Sequence, residues 1–404
     1  MTKMLIKPEL LAPAGNFEKL KWAIKYGADA VYIGGRNYGL RAKNDNFSLE
    51  EIKEACDYAH ARNVKIYVTV NIVFHNEDVK SLKEYLIELG KCKVDAIIVS
   101  DPFVINIAKY LIPEVEIHIS TQASTINYEA VSFYKDEGAS RVVLGREVSG
   151  SDIKEIIDKT GMDIEVFIHG AMCSGYSGRC VLSNYFTLRD SNRGGCSQVC
   201  RWTFNLQDKD KKDIESDSLY SISPKDLSML KHIPTLINMG VKSFKIEGRM
   251  RSIYYIGTLL HLYRKVIDNY CNNPDEYEYN INYENILYRC ANRDTIPQFF
   301  DRKPGVDEQY YIGRDEVSNQ DFLGIVLDYD EQLKEVTIEQ RNFFKVGDNV
   351  EIFGPDIDCY KFNIKSIRNE KNEYVDAARH PQEIIKIPLD IKVSKDDMLR
   401  VNIS

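Results

Sequence analysis

The sequence predicts an α/β protein: a TIM-like (β/α)8 barrel with a cysteine-rich insertion after strand seven, followed by a small C-terminal all-β domain. Three observations carry this. From residue 9, short Val- and Ile-rich runs alternate with amphipathic stretches over about 260 residues, enough for eight βα units. The connection after the seventh run is about 70 residues long, where such connections usually take about 2–6. Beyond about residue 320, helical periodicity gives way to short strands joined by turns.

The eight runs are Glu9–Ala12, Ala30–Gly34, Lys65–Val70, Ala96–Ser100, Glu116–Ser120, Arg141–Leu144, Ile164–Ile168 and Ser243–Ile246. They lack period-2 alternation, as expected of parallel strands covered on both faces. Helical periodicity falls between them, at Phe17–Tyr26, Leu49–Ala61, Val79–Leu89, Phe103–Leu111, Tyr128–Glu137 and Ser151–Lys159. Gly27, Gly90, Gly138 and Gly161 read as stop signals just after helices. An open doubly wound sheet is the alternative, but no switch-point fingerprint supports it. The later strands are Leu323–Tyr329, Glu335–Glu339, Asn349–Phe353, Lys361–Ile367, Glu383–Leu389 and Met398–Ile403. The resulting domains are 1–271 (barrel, insertion at 171–225), 272–312 (linker or extension) and 313–404 (C-terminal β-barrel domain).

Composition is that of a globular protein, 44% hydrophobic and 28% charged. A net charge of −8 argues against a generic nucleic-acid coat but allows a local basic groove. The first residues hold no signal-peptide core and no run approaches a membrane span, so a cytoplasmic protein is expected. In that reducing setting, clustered cysteines bind metal or do redox work more often than they form disulfides.

Four of the nine cysteines, Cys173, Cys180, Cys196 and Cys200, fall within 28 residues at spacings of 6, 15 and 3. Glycine, serine and arginine separate them, unlike the apolar surroundings of structural cysteines. Four thiolates ligate an iron–sulfur cluster or a structural zinc. One tight pair and one loose pair suit the larger cluster better than two zinc knuckles; two disulfides or four unrelated thiols are the plainer alternative. Chemistry on a barrel belongs at the strand C-termini. Those ends bring Ala14–Asn16, Gly34–Arg36, Asn71, Asp101, Thr121–Gln122, Arg146–Glu147, His169 and Glu247–Arg249 to the rim that carries the cysteines. His169 is a candidate proton shuttle, and Glu147 and Glu247 are candidate general bases. Structural roles compete in each case: a satisfied histidine, and carboxylates paired with Arg146 and Arg249. Gly34 and Gly35 allow either close approach of a ligand or simply a tight turn. The insertion is locally basic and aromatic through Arg179, Tyr185, Phe186, Arg189, Arg193, Arg201 and Trp202, as a surface for unpaired bases would be, or a rim packing around the centre.

The chain resembles peptidase family U32, the collagenase-like proteases. The matching text is ELLAPAGN at Glu9–Asn16, DAVYIGG at Asp29–Gly35, HGAMC at His169–Cys173, YSGRC at Tyr176–Cys180, CRW at Cys200–Trp202, KDL at Lys225–Leu227 and KIEGR at Lys245–Arg249. RNFFKVGD at Arg341–Asp348 and VEIFGP at Val350–Pro355 resemble the family's C-terminal domain. Despite the name, several branches of the family are oxygen-independent hydroxylation proteins carrying a [4Fe–4S] cluster. The branch this chain most resembles makes 5-hydroxyuridine at the tRNA wobble position, with prephenate as hydroxyl donor. The resemblance implies Cys173, Cys180, Cys196 and Cys200 as cluster ligands, tRNA as a partner, and a paralogous partner or homo-oligomer as a further possibility. A dianion such as prephenate calls for cations, and Arg179, Arg189, Arg249 and Arg251 are the candidates. The rival functions are a collagenase-like peptidase and a non-catalytic Fe–S or zinc scaffold. No nucleophile elbow or H-E-x-x-H motif supports the first.

Overall fold

The computed structural model describes residues 5–40, 46–214, 220–291, 293–310 and 320–403. Runs that are apolar on both faces need cover on both, and a closed parallel barrel ringed by helices supplies it. The strands are β1 (Glu9–Pro13), β2 (Ala30–Gly34), β3 (Lys65–Val70), β4 (Ala96–Val99), β5 (Glu116–Ile119), β6 (Arg141–Val143), β7 (Asp163–Gly170) and β8 (Ser243–Ile246). Each pairs in parallel with the next, and β8 pairs with both β7 and β1, closing the ring. The doubly wound alternative is thereby excluded.

The helices between strands are α1 (Phe17–Lys25), α2 (Leu49–His60), α3 (Val79–Lys91), α4 (Pro102–Leu111), α5 (Tyr128–Asp136) and α6 (Gly150–Thr160). Their starts are chemically marked. Asn16 caps α1, Ser48 forms a capping box with Glu51 on α2, and Asp101 caps α4 ahead of Pro102. Asn16 and Asp101, candidates for chemistry by position, are thus helix caps. Gly90 does not end a helix; it lies inside α3, against Ile112, where a β-carbon would come within 2.6 Å.

After β7 the chain makes the short helix α7 (Leu182–Thr187), a hairpin of Thr203–Phe204 with Tyr220–Ser221, and α8 (Ile233–Met239) before β8. The short strand Asp226–Ser228 adds antiparallel to the end of β7, Ser228 opposite His169. The 20-residue α9 (Ile253–Asn272) follows β8. Residues 272–312, expected as linker, hold α10 (Asn282–Ala291), whose apolar stripe is only Ile286, Leu287 and Ala291 among tyrosines and asparagines. No helix among the described residues is long and apolar enough to cross a membrane.

By compactness the chain divides into two units, one of Met1–Ile256, Tyr263–Tyr279 and Asp294–Asp315, the other of Gly257–Leu262, Asn280–Arg293 and Glu316–Ser404. The second is built on one antiparallel sheet, in the order Tyr360–Asn363, Asn349–Phe353, Met398–Val401, Phe322–Asp330, Glu335–Gln340, Ile384–Pro388, Ile367–Asn369, Tyr374–Val375. Its edge strands do not pair with each other among the described residues, where a barrel was anticipated. The run expected at Lys361–Ile367 is two strands, because Ile364 turns into the core between them.

Inside the first unit's barrel lies a chain of charges. Arg141 donates to Glu9 at 2.6 Å and to Glu165 at 3.3 Å, and Lys245 donates to Glu165 at 2.8 Å. Tyr67 and Ser243 complete the shell of Glu9 at 2.6 and 2.9 Å. Burial opposes ionisation of Glu165, but Lys245 and Arg141 outweigh it and hold its carboxyl at about 2, below the ordinary 4.5. A carboxyl lowered by folding contributes stability that is complete above its unfolded value and lost as pH falls toward its folded one. Arg141→Met, which leaves two carboxylates facing each other, should therefore cost about 3–5 kcal/mol in urea unfolding at neutral pH. That loss should shrink as pH drops from 4.5 toward 2.

Candidate active site

At the C-terminal mouth of the barrel is a pocket of about 90 Å³ lined by residues from most of the strands, among them Tyr32, Thr69, Asn71, Gln122, Arg146, Lys245, Glu247 and Arg249. Arg249, buried just after β8, donates from Nη1 to Thr69 Oγ1 at 3.3 Å. Its guanidinium crosses Gly34 so closely that a β-carbon there would stand 2.1 Å from Nη1. Gly34 is therefore glycine to admit Arg249, and Gly35 to admit the Tyr85 hydroxyl, 2.0 Å from its own missing β-carbon. Lys245 points up from β8 with its ammonium 4.6 Å from the Tyr32 ring centre. Arg146 stacks at 3.9 Å on Phe167 and donates to the Ala171 carbonyl. Asn71 donates to Ser120 at 2.9 Å, leaving its buried Oδ1 without a hydrogen-bond partner.

Three cations and Glu247 thus line the pocket, and the charge of Lys245 is matched from below by Glu165. The remainder, Arg146 and Arg249 against Glu247, favours an anion, while Asn71 Oδ1 offers an acceptor for a hydroxyl.

The cysteine loop is tied to the rim of the same barrel. Glu147 accepts from Ser177 N at 2.9 Å and from its hydroxyl at 3.1 Å, and Ser124 donates to Ser177 O at 2.7 Å. Gly178, at φ +74°, packs where a β-carbon would be 2.1 Å from the Gln122 carbonyl. Arg193 clamps the Val73 carbonyl at 2.7 Å and the carboxylate of Asp78. Ser191 and Asn192 both donate to the Cys180 carbonyl. None of the four cysteines is in a disulfide; Cys173 and Cys196 are exposed, Cys180 and Cys200 half-buried. Burial raises the Cys200 thiol, and the nearby Cys196 and Cys180 sulfurs push the same way against Ser174 and Arg201. A donor set of thiols alone on one braced loop, with Cys180 and Cys196 in electrostatic reach of Cys200, fits a thiolate-ligated cluster. Among the described residues no three His, Cys, Asp or Glu side chains converge as a single-ion site.

The predicted residues separate into groups. Glu247 and Arg249 line the pocket, whereas Glu147 is a brace for the loop, paired with Ser177 and not with Arg146. Arg251 sits 5.0 Å from the Tyr255 ring and 3.6 Å from buried Asp226, which also faces Arg201 at 3.7 Å. Arg179 and Arg189 lie on the insertion and do not line the pocket. His169 is buried, with Nδ1 3.2 Å from the Tyr263 hydroxyl. That hydroxyl donates to the Ile168 carbonyl at 2.8 Å, so the imidazole is the donor at Nδ1 and its Nε2 is bare. Burial, reinforced by Arg251, lowers His169 to about 3, so it is neutral at physiological pH. A neutral, enclosed imidazole does not shuttle protons there. Sequence reading missed Lys245 as a pocket residue; the available signal was a lysine in the middle of an otherwise apolar parallel strand.

The model described as Peptidase family U32 matches residues 15–310, and that of the Peptidase family U32 C-terminal domain matches residues 318–400. The tRNA hydroxylation protein P1 of Bacillus subtilis is 50% identical over 399 residues, 98% of this chain and 94% of that protein. The tRNA hydroxylation protein P of Escherichia coli is 33% identical, covering 91% of each. A protein of Porphyromonas gingivalis named collagenase is 31% identical, covering 97% of each.

Gly34→Ala should cost about 1–3 kcal/mol in thermal or urea unfolding by overpacking against Arg249. Adding Arg249→Ala should recover part of that loss, a coupling that two independent sites would not show. Because folding lowers His169 from 6.5 to about 3, its contribution to stability is complete above pH 6.5 and is lost as pH falls toward 3. His169→Gln should flatten that segment of a melting-temperature profile against pH.

Proposed function

The chain belongs to peptidase family U32, and on that premise we propose that it is a tRNA-modifying enzyme. In this reading it converts the wobble uridine to 5-hydroxyuridine without molecular oxygen, using prephenate or a similar small dianion as hydroxyl donor and a [4Fe–4S] cluster. The observation that carries the reading is 50% identity, over nearly the full length of both chains, to a tRNA hydroxylation protein.

The pocket's chemistry supports it. Arg249 and Arg146 would take the carboxylates of a small dianion, while the charge of Lys245 is matched by Glu165. Thr69 and the space left by Gly34 fix the Arg249 fork before the ligand arrives. Asn71 Oδ1 would accept from a ligand hydroxyl, and Glu247 is the lining carboxylate placed to take a proton. Cys173, Cys180, Cys196 and Cys200 would hold the cluster. Bound there, it would supply an iron of Lewis-acid character beside the mouth of the barrel. His169 serves as a positioning residue: locked to Tyr263, it fixes the end of β7 four residues before Cys173.

The relative named collagenase keeps a peptidase in view. A cysteine or serine peptidase needs a base in hydrogen-bond reach of its nucleophile. His169 spends Nδ1 on Tyr263 and its Nε2 bonds to nothing, which argues against a His169–Cys173 pair.

Nucleoside analysis of tRNA from cells lacking the protein should show 5-hydroxyuridine lost, restored by the wild type and not by Cys173→Ala. Anaerobically purified protein should hold about four irons with matching sulfide, reduced in Cys173→Ala. Arg249→Ala should keep its iron and raise the KM for the dianion about 10- to 100-fold, the value of a charged hydrogen bond. Protein that stays iron-free after reconstitution, or tRNA unchanged by the deletion, would defeat the reading.

A further inference from the structure

The insertion exposes apolar side chains that nothing among the described residues covers. Tyr185 and Leu188 are 82% and 95% exposed, and Tyr176, Val181 and Phe186 are each more than half exposed. Five large apolar side chains exposed within residues 176–188 mark a contact with something else. It is also held in shape. Phe186 packs edge-on against Trp202 at 6.3 Å and Phe204 at 5.9 Å, while Leu188 adopts a left-handed backbone at φ 53° that ends α7 and leaves its side chain outside.

Charge identifies what the surface fits. Residues 166–189 contain no Asp or Glu, in a chain with 61 acidic residues and a net charge of −8. Arg179, Arg189, Arg193 and Arg201 all read as parts of one basic rim in the sequence, and the structure separates them. Arg193 and Arg201 are engaged with Asp78 and Asp226. Arg179 and Arg189 make no ion pair among the described residues, and they flank Tyr185 and Phe186 in the chain. Guanidinium groups without ion pairs and exposed rings close by in the chain are the elements of a single-stranded RNA platform: cations hold phosphates and rings stack on unpaired bases. We infer that Tyr185 and Phe186 form the ledge on which unpaired nucleotides of the RNA substrate stack, with Arg179 and Arg189 on the adjoining phosphates. This rests on the tRNA reading above and assigns it a surface distinct from the anion pocket.

The test is binding, by fluorescence anisotropy, of a labelled tRNA anticodon stem–loop and of a fully paired RNA of equal length. Tyr185→Ala/Phe186→Ala should weaken the stem–loop about tenfold or more and leave the duplex unchanged, with Tyr185→Phe close to wild type. Tyr185→Ala alone, which disturbs no packed ring, should lose affinity in the same direction. Arg179→Ala/Arg189→Ala should lower the slope of log affinity against log salt by about 0.7 per phosphate released. Variants that bind the stem–loop as the wild type does would overturn this surface while leaving the tRNA reading standing. Wild-type protein with no affinity for the stem–loop would overturn both. If the aromatic substitutions instead dissociate an oligomer in sedimentation and RNA affinity is kept, the ledge belongs to a protein contact and the inference is wrong.

Discussion

Arg141 lies almost wholly inside the barrel, and its guanidinium answers two carboxylates at once, Glu9 from β1 and Glu165 from β7. Barrel interiors are ordinarily filled by layers of branched apolar side chains. Here part of the filling is ionic, and it balances: Glu9 and Glu165 against Arg141 and Lys245. A buried charge without its partner costs several kcal/mol, so each member compels the others. Two of the contacts come from β8, since Ser243 donates to Glu9 and Lys245 to Glu165. The strand that closes the ring is therefore held in register by polar bonds to both its neighbours. A one-residue slip would turn Lys245 out of the barrel and leave Glu165 short of a partner.

That constraint explains how so long an excursion can stand between β7 and β8. Closing a longer loop costs little more than closing a shorter one, because the entropy grows only with the logarithm of length. What a long loop loses is the guidance a short turn gives to register, and the charge network restores it. The excursion is itself pinned to the loops after other strands, through Glu147 and Ser124 to Ser177 and through Arg193 to Asp78. The cysteines consequently sit on a braced segment, which suits a site whose donors must be placed before anything binds.

The barrel was legible because its signals are local. Apolar runs and stop glycines at Gly27 and Gly161 repeat along the chain, and strand boundaries fell within a residue or two, whereas the caps Asn16 and Asp101 read as rim residues. The cysteine cluster was legible for the same reason. The pocket was only half legible. Arg249 and Glu247 could be placed by their position after β8, but Lys245 looked like part of a strand, and its role depends on Glu165, 80 residues away in the chain. Glu147 was misassigned because a carboxylate at a strand end looks the same whether it faces a ligand or a loop. Gly34 shows the limit most clearly, since its reason is an arginine more than two hundred residues later. Helix α10 escaped notice because tyrosine and asparagine at its exposed positions carry no periodic contrast.

An overall charge of −8 is at first sight at odds with the proposed tRNA substrate, a polyanion. The distribution resolves this. Association with nucleic acid is governed by the local field, and a charge of the same sign elsewhere discourages unproductive contact. The stretch without acids, residues 166–189, begins inside β7 and runs through the first two cysteines to α7, and the cations of the pocket lie on the same mouth of the barrel. The acid-free stretch with its exposed rings and the cations of the pocket thus share the loop and rim where the thiols are, while acidic residues populate much of the remaining chain. A polyanion would be turned away over most of the surface and held at one place. On the proposed function the acidic composition would add selectivity, because it would restrict where a long, charged substrate can settle to the end of the barrel that holds the pocket and the cysteines.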